Sequence, residues 1–176
     1  VKPVRLVIPF PPGGGNDFLG RLIGQSLSEV LGQPVVVDNR PGAGATIGTD
    51  IVAKAPADGY TLLLSSITTH ALAPALYPKL TYDTIKDFVP VSLIAIAPTV
   101  LVVGPHVKAN SLAGLISLAK ASPRKMTFAS GGNGSAPHIA GELFKAVAGV
   151  DLLHIPFRGG GPASLAIMGG EVDMMF

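Results

Sequence analysis

The residues best placed to do chemistry sit in four Gly-rich turns. They are Pro9-Phe10-Pro11-Pro12-Gly13-Gly14-Gly15-Asn16-Asp17, Asn39-Arg40-Pro41-Gly42-Ala43-Gly44-Ala45-Thr46, the stretch from Ser130 to His138, and the stretch from Phe157 to Ser164. Each follows a short apolar run and precedes a helical pattern. A strand that breaks into such a turn and then starts a helix leaves backbone N–H groups unpaired. The helix dipole adds partial positive charge at the same place, so these junctions suit an anion. Gly and Pro also make ordinary tight turns, and for any single turn that explanation suffices. Four together, two of them carrying Ser, Asn or Asp, favour a binding crevice. Its chemistry would be that of a carboxylate, sulfate or phosphate held by preorganised dipoles with few formal charges.

Other constellations are weaker. Gly42-Ala43-Gly44-Ala45-Thr46-Ile47-Gly48 approaches a dinucleotide fingerprint, but its third glycine falls one residue late. No Lys-Ser/Thr follows Gly13–Gly15, so no Walker A is present. Ser135 has Gly134 before it and Ala136 after it, so it is no nucleophile elbow. His138 and Glu142 share a helix face, too few ligands for a metal. His70, with Ser65, Ser66, Thr68 and Thr69 around it, and His154 are each a local hydrogen-bonding residue or a base. Asp17 either caps or braces its turn or touches a ligand. Arg40 and Arg158 either pair with a carboxylate ligand or form surface salt bridges.

The elements that must position these turns follow from the apolar pattern. Strands are expected at Val4–Pro9, Pro34–Asp38, Tyr60–Ser65, Val89–Ala97, Thr99–Gly104, Met126–Ala129, Leu152–Pro156 and from Val172. Helices are expected after Asn16 or Asp17 as cap, with Leu19, Leu22, Ile23, Leu27, Val30 and Leu31 as the apolar face and Gly32 as the stop. Others are expected around Ile47–Ala55, over Leu112–Ala121 with Ser111 as cap, over His138–Ala148 and over Ala163–Met168. Buried strands alternating with amphipathic helices call for a mostly parallel sheet covered by helices. The two consecutive strands across Val89–Gly104 break the rhythm and suggest a crossover between lobes, with a hinge near Pro98.

Composition sets limits. The 176 residues are 48% hydrophobic and 14% charged, which excludes disorder and permits a substantial core. The net charge is +2 without a Lys/Arg cluster, which argues against a nucleic-acid or polybasic membrane surface. With no cysteine there is no disulfide, thiolate metal site or Cys nucleophile, and no cofactor or metal is expected. Prolines punctuate the most apolar window, Val89–Pro105, which falls short of a spanning helix. No signal peptide is visible ahead of the first strand, so an exported protein would be seen here in its mature form. Val172–Phe176 stops inside an apolar strand pattern, which reads as a C-terminally truncated fragment.

Several segments together resemble the Bug (TctC-like) family, the extracytoplasmic solute receptors of tripartite tricarboxylate transporters. They are Pro9-Phe10-x-Pro12-Gly13-Gly14-x-x-Asp17 with Arg21, Asn39-Arg40-Pro41-Gly42-Ala43-Gly44, Ala57-Asp58-Gly59-Tyr60-Thr61-Leu62, Thr69-His70-Ala71 with Pro74-x-Leu76-Tyr77, Ser130-x-Gly132-x-Gly134-Ser135, and Pro156-Phe157-Arg158-Gly159-Gly160. The resemblance implies an α/β fold of the periplasmic binding protein-like II type, a two-lobed Venus-flytrap with its second lobe incomplete. Residues 1–98 would form lobe 1 and 99–176 part of lobe 2. It implies a periplasmic receptor, not an enzyme, that captures a small organic di- or tricarboxylate for the membrane components of such a transporter. The implied ligand residues are Phe10, Pro12, Gly13, Gly14 and Asp17; Ser65, Thr68 and His70; and Ser130, Gly132, Asn133 and Ser135. Phe157 stands where the family commonly has Tyr, which removes one hydroxyl. Two other readings stay open: a phosphate or sulfate receptor, and a hydrolase using Ser130 or Ser135 with His70 or His138.

Overall fold

A computed structural model describes residues 2–176. The chain divides into two compact units, one ending at Leu93 and one beginning at Ile94.

In the first unit β1 (Val4–Ile8) lies between β2 (Val35–Asn39) and β3 (Thr61–Leu63), and both pairings are parallel. The middle strand is apolar on both faces, as a strand with helices above and below must be. Leu6 and Ile8 face α1 (Gly15–Leu31) and form a core with Leu64. Pro9, next along the chain and on the opposite face, lies against Gly48 of α2 (Thr46–Ala53). The expected apolar face of α1 is only partly realised, because Leu22, Val30 and Leu31 are exposed. The helix approaches the sheet through Gly20 and Gly24 instead. A Cβ at Gly20 would fall 3.1 Å from Ile8 Cγ1 and 3.3 Å from Leu64 Cδ2, so these glycines let backbone and sheet meet closely. Gly32 ends α1 in the left-handed conformation, as expected. After β3, a wide helical turn over Thr68–Leu72 runs into the short α3 (Ala73–Leu76).

In the second unit a four-stranded sheet runs in the order β4 (Val102–Val103), β7 (Met174–Met175), β5 (Thr127–Ser130), β6 (Leu153–Pro156). Only β4 is antiparallel. Successive residues of β5 serve opposite faces. Phe128 joins Leu115 and Ala119 of α4 (Leu112–Ala121), with Phe144 and Ala148 of α5 (Ala136–Ala148) beside them. Ala129 joins Ala163, Ala166 and Ile167 of α6 (Gly160–Met168). Helices therefore cover both faces. A Cβ at Gly141 of α5 would lie 2.5 Å from Phe128 Cδ2, so this glycine is what admits the ring.

Three expectations need correction. The two long strands across 89–104 do not form: only Val102–Val103 joins a ladder, and Val89 and Ile96 are more than 80% exposed. β-branched residues favour extended backbone, but a strand also needs a neighbour, and among the described residues none lies alongside 89–101. Neither Asn16 nor Asp17 caps α1; extended Gly14 holds that position, and Asp17 sits in the first turn. Helices α5 and α6 start two and three residues earlier than expected, because Ser135 caps the first and Gly159, at φ 110°, opens the second.

Candidate functional site

In the first unit all three strands are parallel, so the turns after them gather at one edge of the sheet, with the turn after β1 in the middle. That turn is built around Asp17. Its carboxylate is buried and points back along the chain: Oδ2 accepts from the Gly13 N–H at 3.0 Å and from Arg21 Nε at 3.0 Å, and Oδ1 accepts from Asn39 Nδ2 at 2.9 Å. Asn39 Nδ2 also donates to the Phe10 carbonyl at 3.1 Å, and Asn39 Oδ1 accepts from Arg21 Nη2 at 3.2 Å. Of the two roles open to Asp17, the geometry is that of a brace. Gly13 takes a left-handed φ of 83°, which glycine adopts without strain. The N–H groups of Gly14, Gly15 and Asn16 have no partner among the described residues. Pro12 and Gly13 are exposed, while the Phe10 side chain packs on the core.

Hydrogen bonding by the Arg21 guanidinium is the main reason the Asp17 carboxyl is held down at about 2. Burial opposes this, and the Gly13 N–H, the Asn39 amide and the Arg21 charge lower it further.

The turn after β3 is a cluster of hydroxyls. His70 Nδ1 lies 2.9 Å from Ser65 Oγ and 2.9 Å from Thr69 Oγ1. Thr69 Oγ1 donates to the Ser66 carbonyl at 2.8 Å and accepts the Ser66 N–H at 3.0 Å, closing the turn on itself. Thr68 and Thr69 are buried, and the His70 ring meets Phe88 edge-on at 4.8 Å. Burial lowers the His70 pKa, so the ring is neutral near pH 7. Arg40 is committed to Asp38 at 2.9 Å, the surface salt bridge that was one of its two readings.

In the second unit the turns after β5 and β6 lie together. The Phe157 N–H donates to the Ser130 carbonyl at 2.9 Å and the Gly159 N–H to the Gly131 carbonyl at 3.2 Å. Ser130 is fully buried. Its Oγ accepts the Gly132 N–H at 3.1 Å and sits 2.6 Å from His154 Nε2. Ser135 caps α5 by accepting the His138 N–H and donates to the Gly132 carbonyl at 2.7 Å. His138 Nδ1 accepts the Gly134 N–H at 3.1 Å. Gly132 and Gly134 both have positive φ, and Asn133 at the tip is exposed. The N–H groups of Asn133 and Ala136 have no partner among the described residues.

The serines and histidines of these turns are engaged mainly with one another and with backbone. Ser130 and His154 form a close pair, but the serine is sealed from solvent and no carboxylate bonds His154 among the described residues. His138, tilted by 30° against His154 with ring centres 4.2 Å apart, serves the turn. Glu142 pairs with Lys145 at 3.0 Å. Among the described residues no group of three His, Cys, Asp or Glu is placed to hold a metal ion.

Three residues with roles here lie outside the implied ligand set: Arg21, Asn39 and Thr69. Asn39 and Thr69 lay within turns already flagged as polar, which was a usable signal. His154, which the sequence offers as a local hydrogen-bonding residue or a base, bonds Ser130, a partner set by β5 and β6 pairing with Phe128 opposite His154.

The model of the tripartite tricarboxylate transporter family receptors, TctC, matches residues 19–176. BugT of Bordetella pertussis is 45% identical over 172 residues, covering 97% of this chain and 53% of the relative. Among solved structures, Rpa4515 of R. palustris with adipate is 40% identical with a TM-score of 0.93, covering 98% of this chain and 57% of that one. MatC (Rpa3494) from Rhodopseudomonas palustris with bound malate is 36% identical with a TM-score of 0.91, covering 99% and 60%. The chain thus has the α/β fold of periplasmic binding proteins and spans about half the length of the curated relatives it matches. At these identities and over this span, the chain belongs to the TctC family of tripartite tricarboxylate transporter receptors.

Proposed function

We propose that this chain is part of a periplasmic solute receptor that captures a small organic di- or tricarboxylate and delivers it to the membrane components of a tripartite tricarboxylate transporter. The observation that carries the reading is the match to two solved relatives that hold adipate and malate, across nearly the whole of this chain. The donor-rich turns fit the same chemistry. In the first unit, Gly14 would offer its free N–H to a carboxylate, with Ser65, Thr68 and His70 flanking it and Phe10, Pro12, Gly13 and Asp17 shaping the turn. In the second unit, Asn133 would do so, with Gly132 and Ser135 framing the turn and Ser130 beneath them. The two lobes are proposed as residues 1–98 and 99–176.

A thermal-shift series tests this. Malate, adipate and a tricarboxylate such as citrate should raise the melting temperature in proportion to RT ln(1 + [L]/Kd), and phosphate and sulfate should not. A shift from the inorganic anions alone would replace the carboxylate reading with an oxyanion receptor. Gly14→Val puts a branched side chain over the free N–H groups without disturbing an extended backbone. Undiminished malate affinity in that variant would remove the first turn from the site.

A further inference from the structure

We infer that Arg21, which the resemblance leaves without a role, is the positioning residue that makes the 9–17 turn acceptable to an anion, by cancelling the charge of the carboxylate beneath it. The inference rests on the reading above, in which this turn receives a ligand carboxylate.

The turn contains an electrostatic contradiction. Its free N–H groups at Gly14, Gly15 and Asn16 suit negative charge, yet the side chain that shapes it is itself a carboxylate. The Asp17 side chain is only 7% exposed, so water cannot screen it as it would a surface group. An incoming carboxylate would meet a like charge across one turn of backbone. Arg21 removes the conflict. One helical turn after Asp17, it places Nε 3.0 Å from Oδ2, and Nη2 is pinned at 3.2 Å by Asn39 Oδ1. Asn39 is itself tied to Asp17 Oδ1 and to the Phe10 carbonyl. The guanidinium is thereby held in one orientation with its positive charge on the buried carboxylate, while its outer edge stays in solvent.

Among the described residues no other charge does this. Of the charged groups on the strands next to α1, Arg5 of β1 and Arg40 after β2 are both bonded to Asp38, and neither is bonded to Asp17. His70, on the turn after β3, is engaged with hydroxyls. The low pKa of Asp17, about 2, agrees with a carboxylate ionised throughout the physiological range and dependent on this partner.

The test compares malate affinity by calorimetry in wild type, Arg21→Gln and Arg21→Lys, from pH 7.5 to pH 4.5, using the full chain. The ratio of dissociation constants to wild type at each pH cancels the titration of malate itself. Arg21→Gln should bind roughly tenfold more weakly at pH 7.5, the order expected for like charges a few ångströms apart at a partly screened surface. Any change in the ratio with pH should be a decrease as pH drops, because Asp17 without its partner titrates higher. Arg21→Lys, which keeps the charge but not the fork, should stay within about threefold of wild type. A ratio that grows as pH drops, or Arg21→Gln binding like wild type at pH 7.5, overturns the inference and leaves the receptor reading standing. A Lys variant as weak as Gln shows that the guanidinium touches the ligand directly, which also overturns it. If wild type binds neither malate nor adipate, the receptor reading fails and the inference falls with it.

Discussion

Ser130→Ala separates a residue that contacts ligand from one that builds the turn. The hydroxyl is fully buried, accepts the Gly132 N–H at 3.1 Å and lies 2.6 Å from His154 Nε2. Alanine leaves almost no void, so the cost comes from the polar partners. The single hydroxyl proton serves His154 or the Gly132 carbonyl at 3.2 Å, so one donated and one accepted bond at about 1 kcal/mol each give about 2 kcal/mol, since the Gly132 N–H and the histidine nitrogen then lie half-buried without a partner. That is up to about a 30-fold change in the folding equilibrium of this unit. Urea unfolding followed by circular dichroism should show a midpoint lower by about 1 M, taking a slope of about 2 kcal/mol/M. Hydrogen exchange should show the Gly132 amide losing protection. Malate binding should weaken as a consequence, because Gly132 and Asn133 lose their fixed orientation. An unfolding midpoint within about 0.2 M of wild type, with Gly132 exchange unchanged and malate affinity lost, would refute this account. The hydroxyl would then be serving the ligand and not the turn.

Other outcomes are expected on the same grounds. Gly141→Ala forces a methyl into the Phe128 ring, whose Cδ2 is 2.5 Å from the position the new Cβ would take; it should destabilise by about 1–3 kcal/mol in urea unfolding, as overpacking of a fixed ring does. Stability should decline in two stages as pH falls. The pKa of His154 is lowered from 6.5 mainly by burial, with repulsion from His138 next, and that of His70 is lowered by burial. The unfolded chain therefore binds these protons first, and stability drops from about pH 6.5 downward until the folded rings titrate too. Asp17, at about 2 in the fold against 3.8 ordinarily, contributes stability above 3.8 that is lost as pH falls through 2. A pH titration of the urea midpoint that rises below pH 6 would contradict the lowering of both partly buried histidines.

Much of the fold was legible because it is a matter of periodicity and punctuation. Val4–Ile8 is a central strand because four of its five residues are apolar, and parallel packing between helices buries both faces. Gly32 and Gly149 stop their helices because each takes a left-handed φ that other residues resist. The positions of the Gly-rich turns, and hence the candidate anion donors, were readable for the same local reason. That no strand forms across 89–101 was not, because extended propensity is a property of residues but a ladder is a property of pairs.

The sequence by itself determined an α/β alternation, the strand-to-helix turns at 9–17, 39–46, 130–138 and 157–164, the absence of any thiol chemistry and the family. Only the tertiary structure decided what the polar residues in those turns do. Asp17, Ser130 and Ser135 look alike in sequence, as groups able to meet a ligand. In space Asp17 is consumed by Gly13, Arg21 and Asn39, and Ser130 by Gly132 and His154; Ser135 is drawn back onto Gly132 and His138. The physical reason is that a hydrogen bond depends on distances of about 3 Å between atoms that can be 22 or 24 residues apart, as Asn39 is from Asp17 and His154 from Ser130. Strand register sets those distances, and no local pattern encodes it.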